Sequence, residues 1–210
     1  RPDVDATPLK AELYRTLGGN PADGSILPAG PYVSASIADT GLIAATVLYQ
    51  AGIDWHTALA VIERTMTPVL KAPPAPHEVA GIGDVRARLQ AFKSAGAAIA
   101  VATNDERAAT LACLDLLGIA DLMDAVVCAG DVGLAAKPAP DGLLHIARTL
   151  GVSPHRLAMV GDSAGDMLTG RAAAVGLTVG VLSGPATTAQ LTPHADVVVA
   201  DIHALEVGDD

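Results

Sequence analysis

Two aspartates four residues apart give the strongest chemical signal in the sequence. The hexapeptide GDSAGD, residues 161–166, directly follows the short apolar run LAMV at 157–160. Residues with this spacing lie about one helical turn apart, so the carboxylates of Asp162 and Asp166 can face one point. Two close carboxylates raise each other's proton affinity, and a hard divalent cation such as Mg²⁺ relieves their repulsion. The spacing predicts a magnesium site, with a capped helix start carrying a spare acid as the alternative.

Two further positions have side chains or amides suited to binding an anion. Thr103 and Asn104 follow the apolar run at 97–102, where a hydroxyl and the amides that open a helix can bind an anion. Ordinary helix capping is the alternative there. Lys137 precedes Pro138, which excludes helix at the lysine and fixes the local chain direction. A lysine held in this way can reach a phosphate as a point charge, whereas a solvated surface lysine is the alternative.

These residues follow short apolar runs that alternate with helical stretches in the second part of the chain. The alternation predicts a parallel sheet with helices on both faces, and in such sheets ligands bind at the carboxyl ends of the strands. The predicted strands are 97–102, 123–128, 157–160, 177–182 and 196–199, and the predicted helices are 84–95, 105–117, 140–151, 164–174 and 186–191.

The first part of the chain carries no strand signal. Its apolar residues recur at helical spacing, and the proline-rich segment KAPPAP at 71–76 indicates a linker. We therefore predict a helical segment over 1–77 and an α/β core over 78–210. The predicted helices of the first segment are 8–18, 38–51 and 54–71, with a loop at 19–37.

Composition and charge exclude several classes of protein. Half of the 210 residues are apolar and mean hydropathy is +0.40, so the chain can bury a substantial core and is not a disordered one. Its net charge is −10, and without a Lys/Arg cluster it repels nucleic acid and anionic membranes. A phosphate site in so acidic a chain needs a metal or a local basic group. The longest apolar run is too short to span a membrane, which predicts a cytoplasmic protein.

The order of the three motifs resembles a known family. A strand-end Thr103-Asn104, a Lys-Pro pair beginning 34 positions later, and an apolar strand followed by Asp162, 25 positions after Lys137, resemble the last three signature motifs of the haloacid dehalogenase superfamily. The match is strongest to its phosphoglycolate phosphatase-like members and covers about residues 78–205. The resemblance implies a Rossmann-like parallel sheet with flanking helices, and the preceding helical segment is similar to the small cap of these enzymes.

The resemblance also implies a function. It implies a Mg²⁺-dependent phosphatase that hydrolyses a small phosphorylated metabolite through an aspartyl-phosphate intermediate. Thr103 and Lys137 would be catalytic, and both would bind phosphate together with the backbone amide of Asn104. Asp162 would ligate the metal and Asp166 would support it, through water. We expect no nucleic acid or membrane partner, and a monomer or homodimer.

The first motif of the superfamily, a buried strand ending in Asp-x-Asp-Gly-Thr, is not recognisable. Residues 3–7 read DVDAT, but only Arg1 and Pro2 precede them, too few to form a strand that aims Asp3 into a site. We expect this strand to lie upstream of Arg1. Two alternatives follow for the function: a non-catalytic phosphate-binding or regulatory protein without the nucleophile, and a 2-haloacid dehalogenase, whose chemistry needs no metal pair.

Overall fold

The computed structural model describes residues 7–27, 30–131 and 133–206. The chain divides into two compact units between Ala72 and Pro73, inside the proline-rich segment 71–76. None of the described helices is both long enough and apolar enough to cross a membrane.

The first unit is helical and is built around the contact between its two longest helices. Ser36 and Asp54 cap these helices, because each side chain accepts a hydrogen bond from a backbone N–H three residues ahead. Small alanines on the first of the two face Ala58 and Ile62 on the second, so the backbones can pack closely. The helices of this unit are α1 (Thr7–Thr16), α2 (Pro31–Ser34), α3 (Ile37–Gln50), α4 (Trp55–Thr65) and α5 (Thr67–Lys71).

Two features of the first unit differ from the sequence prediction. The helix predicted over 54–71 is two helices, α4 and α5. Pro68 accounts for the break, because proline has no N–H to continue the helical hydrogen bonds and its ring clashes with the preceding turn. The predicted loop over 19–37 contains the short helix α2 and an antiparallel bridge between Gly19 and Ile26.

The second unit alternates strands and helices, which confirms the predicted α/β class. Every strand pair described in it is parallel. The elements are α6 (Val85–Ser94), β1 (Ala100–Glu106), α7 (Arg107–Leu116), β2 (Ala125–Ala129), α8 (Asp141–Leu150), β3 (Ala158–Gly161), α9 (Ala164–Ala172), β4 (Leu177–Val181), α10 (Thr188–Leu191) and β5 (Val197–Val199).

The described strands form two separate parallel sheets rather than a single one. One sheet has the order β1-β2 and the other has the order β3-β4-β5. A common core connects them: Val127 of β2 and Met159 of β3 are buried in one apolar cluster with Leu143 and Ile146 of α8. The two sheets therefore share one apolar core, to which α8 contributes.

The end of β1 is irregular. Ala100 to Ala102 pair in regular register with β2, and the next pair is Glu106 with Ala129. Four steps along β1 thus match two steps along β2, which is a bulge in β1. Thr103 and Asn104 lie inside this bulge instead of after the strand, and α7 begins at Arg107 rather than at residue 105.

Candidate functional site

Lys137 and Asp166 form a direct ion pair between the loop after β2 and the first turn of α9. The Lys137 Nζ donates to Asp166 Oδ1 at 2.6 Å. Asp166 is only 4% exposed, and its Oδ2 accepts from the Ser163 backbone N at 3.1 Å and from Ser163 Oγ at 2.7 Å. Ser163 Oγ in turn accepts from the Asp166 N–H, which completes a capping box at the start of α9. Both oxygens of Asp166 are therefore engaged within the protein.

Asp162 follows β3 directly and its charge is not compensated. Its side chain is half-buried and makes no hydrogen bond or ion pair to another described side chain. Burial raises the pKa of the Asp162 carboxyl, and the negative charge of Asp166 raises it further, while Lys137 acts in the opposite direction. A bound cation would stabilise the ionised form of Asp162, which burial and the charge of Asp166 disfavour. Mg²⁺ typically takes one or two carboxylates together with water and phosphate oxygens, so Asp162 fits as its protein ligand.

The metal-binding side chains do not form a larger cluster. Within residues 7–27, 30–131 and 133–206, no group of three or more His, Cys, Asp or Glu side chains is arranged to hold a metal ion. Beside the start of α9, Asp162 offers a carboxylate that forms no hydrogen bond or ion pair with another described side chain. Asp3 and Asp5, in the sequence that resembles the first motif, lie outside the described residues.

The Asn104 side chain connects the bulge of β1 to Lys137. Its Oδ1 accepts from the Lys137 backbone N–H at 2.9 Å, and its Nδ2 donates to the Lys137 carbonyl oxygen at 3.2 Å. The peptide bond between Lys137 and Pro138 is cis. The sequence predicts a role only for the backbone amide of Asn104; this side-chain contact could not be predicted because it joins residues 33 positions apart.

Thr103 lines the same cavity as Asn104 and Lys137, but its hydroxyl forms hydrogen bonds with Asp105, two residues along the chain. Its Oγ1 donates to Asp105 Oδ2 at 2.9 Å and accepts from the Asp105 backbone N–H at 3.1 Å. Thr103, Asn104 and Lys137 line one cavity of about 20 Å³, with Cys128 in its wall. This volume is sufficient for about one water molecule.

Gly184 also lies against Asp162, and the sequence did not predict this contact. It lies in the loop after β4, and a Cβ atom at this position would collide with the Asp162 carboxylate. The sequence Ser-Gly-Pro at 183–185 indicates a turn. The turn faces Asp162 because β4, which it follows, pairs with β3, which Asp162 follows. The sequence does not show this pairing.

The structure thus brings Lys137 into contact with Asn104 and Asp166. The charges of Lys137 and Asp166 both act on the pKa of the nearby Asp162 carboxyl. Thr103 shares the cavity of Lys137. One lysine faces two carboxylates, so this cluster carries net negative charge. It can bind an anion such as a phosphoryl group strongly only when a further cation is present.

Comparison with known proteins identifies the family of the chain. The model for haloacid dehalogenase-like hydrolases matches residues 14–174. A phosphoglycolate phosphatase of Neisseria meningitidis is 37% identical over 101 residues, which span 48% of this chain and 42% of that relative. The chain therefore matches less than half the length of this curated relative.

Solved structures show the same fold. A protein from Haemophilus somnus described as a predicted phosphoglycolate phosphatase has a TM-score of 0.65 at 18% identity, covering 81% of this chain and 76% of its own. A hydrolase of the same superfamily from Deinococcus radiodurans, with bound phosphate and sodium, has a TM-score of 0.58 at 24% identity, covering 77% and 70%. The resemblance carried by Thr103, Lys137 and GDSAGD is confirmed: the chain belongs to the haloacid dehalogenase-like hydrolases.

Proposed function

We propose that the protein is a Mg²⁺-dependent phosphatase of a small phosphorylated metabolite, phosphoglycolate phosphatase-like in class. The observation that carries the proposal is the part-buried Lys137–Asp166 ion pair beside the uncompensated carboxylate of Asp162. The Neisseria relative is named a phosphoglycolate phosphatase, and the Deinococcus structure holds phosphate, which supports a phosphoryl ligand.

Three residues would bind the phosphoryl group. The Lys137 ammonium would contact a phosphoryl oxygen while its hydrogen bond to Asp166 fixes its position. The Thr103 hydroxyl donates to a second oxygen, and the backbone N–H of Asn104 assists. In phosphoryl transfer such contacts act by positioning the group and by offsetting the charge of its oxygens.

Asp162 would hold the metal directly. When bound, Mg²⁺ supplies positive charge that offsets both the aspartates and the phosphoryl oxygens. Asp166 has both oxygens engaged by Lys137 and Ser163, so we assign it a supporting role through a water molecule.

The proposed chemical step is phosphoryl transfer to an aspartate. The carboxylate attacks phosphorus, the ester oxygen leaves, and water then hydrolyses the aspartyl-phosphate. No residue in the described part of the chain is assigned as the nucleophile, which the resemblance assigns to the first motif. We further propose that residues 1–77 are the cap that selects the substrate and that 78–210 are the catalytic core. The cytoplasmic location and the monomeric or homodimeric state stay predictions.

A 2-haloacid dehalogenase is the second enzyme reading of the same family. Its reaction at carbon needs no metal, whereas the uncompensated carboxylate of Asp162 favours a site completed by a cation. Hydrolysis of a phosphate ester therefore distinguishes a phosphatase from a 2-haloacid dehalogenase.

The test is hydrolysis of p-nitrophenyl phosphate with Mg²⁺ and with excess EDTA. We expect turnover only with Mg²⁺, and a loss of about 100-fold or more in Asp162→Asn. Asp115→Asn, which changes an exposed aspartate on α7, serves as the matched control and should retain the wild-type rate. Full turnover in EDTA would exclude the metal role. Phosphate binding without any hydrolysis would favour the non-catalytic alternative.

A further inference from the structure

The carboxamide of Asn104 is bound through both its polar atoms by the main chain of a single residue. It accepts from the N–H of Lys137 at 2.9 Å and donates to the C=O of Lys137 at 3.2 Å. These two groups flank the Lys137 Cα, so the pair of hydrogen bonds fixes the backbone on both sides of it. The direction in which the lysine side chain leaves the loop is thereby set.

Lys137 is consequently held at both ends. Its backbone is bound to Asn104 in the bulge of β1, and its ammonium is bound to Asp166 in α9. The loop that carries it otherwise contributes only apolar residues to the cavity wall, Leu134 and the alanines at 135, 136 and 139. A lysine side chain has four rotatable bonds. Fixing the main chain at Lys137 therefore reduces the number of positions that its ammonium can reach.

We propose that Asn104 is a positioning residue, whose carboxamide fixes the Lys137 main chain so that the ammonium remains directed at the phosphoryl site. Its side-chain oxygen is already engaged as an acceptor, so this role is separate from any contact that the Asn104 backbone amide makes with phosphate. The inference rests on the proposed function for one point only, the binding of a phosphoryl group by Lys137.

The test is a double-mutant cycle that uses the affinity for inorganic phosphate, measured by calorimetry in the presence of Mg²⁺. Asn104→Leu keeps the size of the side chain and removes both hydrogen bonds, and we expect it to weaken phosphate binding about tenfold. Lys137→Met should weaken binding more. Because Asn104 acts through the lysine, the double variant should bind no more weakly than Lys137→Met alone.

Gln190→Leu is the matched control, since its carboxamide also accepts from a backbone N–H, that of Thr187. We expect its phosphate affinity to equal that of the wild type. A general loss of fold stability in Asn104→Leu would instead add to the effect of Lys137→Met in the double variant, and that additive result would overturn the inference.

Hydrogen exchange of the Lys137 amide gives a second readout, independent of phosphate. This N–H should exchange faster in Asn104→Leu than in the wild type, and it should keep wild-type protection in Gln190→Leu. Equal protection in wild type and Asn104→Leu would refute the positioning role. If Lys137→Met itself left phosphate affinity unchanged, the proposed function would fall, whereas a loss in Lys137→Met without one in Asn104→Leu would overturn the positioning role alone.

Discussion

At the scale of single residues, the hydroxyl of Thr103 can donate one hydrogen bond, and it donates this bond to Asp105. The Thr103 Oγ1 donates to Asp105 Oδ2 and also accepts from the Asp105 N–H. A phosphoryl oxygen is an acceptor, so Thr103 can donate to it only if its hydrogen bond to Asp105 is broken. The carboxylate of Asp105 thus competes with the ligand for this donor, and its charge opposes an incoming anion.

We therefore expect Asp105→Ala to strengthen binding of inorganic phosphate. Loss of the competing acceptor and of one negative charge should improve the inhibition constant of phosphate about three- to tenfold. Asp115→Ala removes the same charge from an exposed position on α7 and should leave the constant unchanged. Unchanged or weaker inhibition in Asp105→Ala would show that the two groups do not compete.

At the scale of elements, the sequence pattern was most informative where strands are short, apolar and buried. The predicted strands at 123–128, 157–160, 177–182 and 196–199 differ from β2 to β5 by two residues or fewer at each end. The end of β1 could not be predicted, because Thr, Asn and Asp are typical of turns and caps. Their place in a bulged strand follows from the distant pairing of Glu106 with Ala129.

The Asp196 carboxylate links the start of β5 to β4 and to the helix α9. It directly precedes β5 and accepts from the backbone N–H and the hydroxyl of Thr178 in β4, both at 2.8 Å. It also accepts from Arg171 in α9 at 2.6 Å. These hydrogen bonds, first of all the one from the Thr178 backbone, hold the pKa of the Asp196 carboxyl below its usual value.

This lowered pKa predicts a pH-dependent contribution to stability. The contribution is present above the pKa of an unfolded aspartate and is lost as pH falls through the lower pKa of the folded state. Asp196→Asn should therefore be less stable than wild type at neutral pH, and the difference should shrink towards about pH 3. Urea unfolding across this pH range measures it.

Asp115→Asn is the control, because that aspartate is exposed and has no side-chain hydrogen bond to a described residue. It should follow the wild-type curve throughout. A stability difference for Asp196→Asn that stays constant or grows on acidification would contradict the assigned role.

At the scale of the whole molecule, charge decides what the site can bind. The chain carries a net charge of −10, and the described site sets Lys137 against Asp162 and Asp166. An anionic substrate therefore meets repulsion at long range and net negative charge locally. The sequence alone predicted this need for a metal or a local cation. It could not predict the contacts made by Asn104 and Gly184, because both depend on how separate strands and loops are placed beside each other.

The most direct test of the central claim is calorimetric titration of the protein with inorganic phosphate, with and without Mg²⁺. We expect binding only when Mg²⁺ is present, binding weakened by more than about tenfold in Lys137→Met, and wild-type binding in Lys10→Met, which removes an exposed lysine of α1. Equal phosphate affinity without Mg²⁺, or in Lys137→Met, would contradict the account.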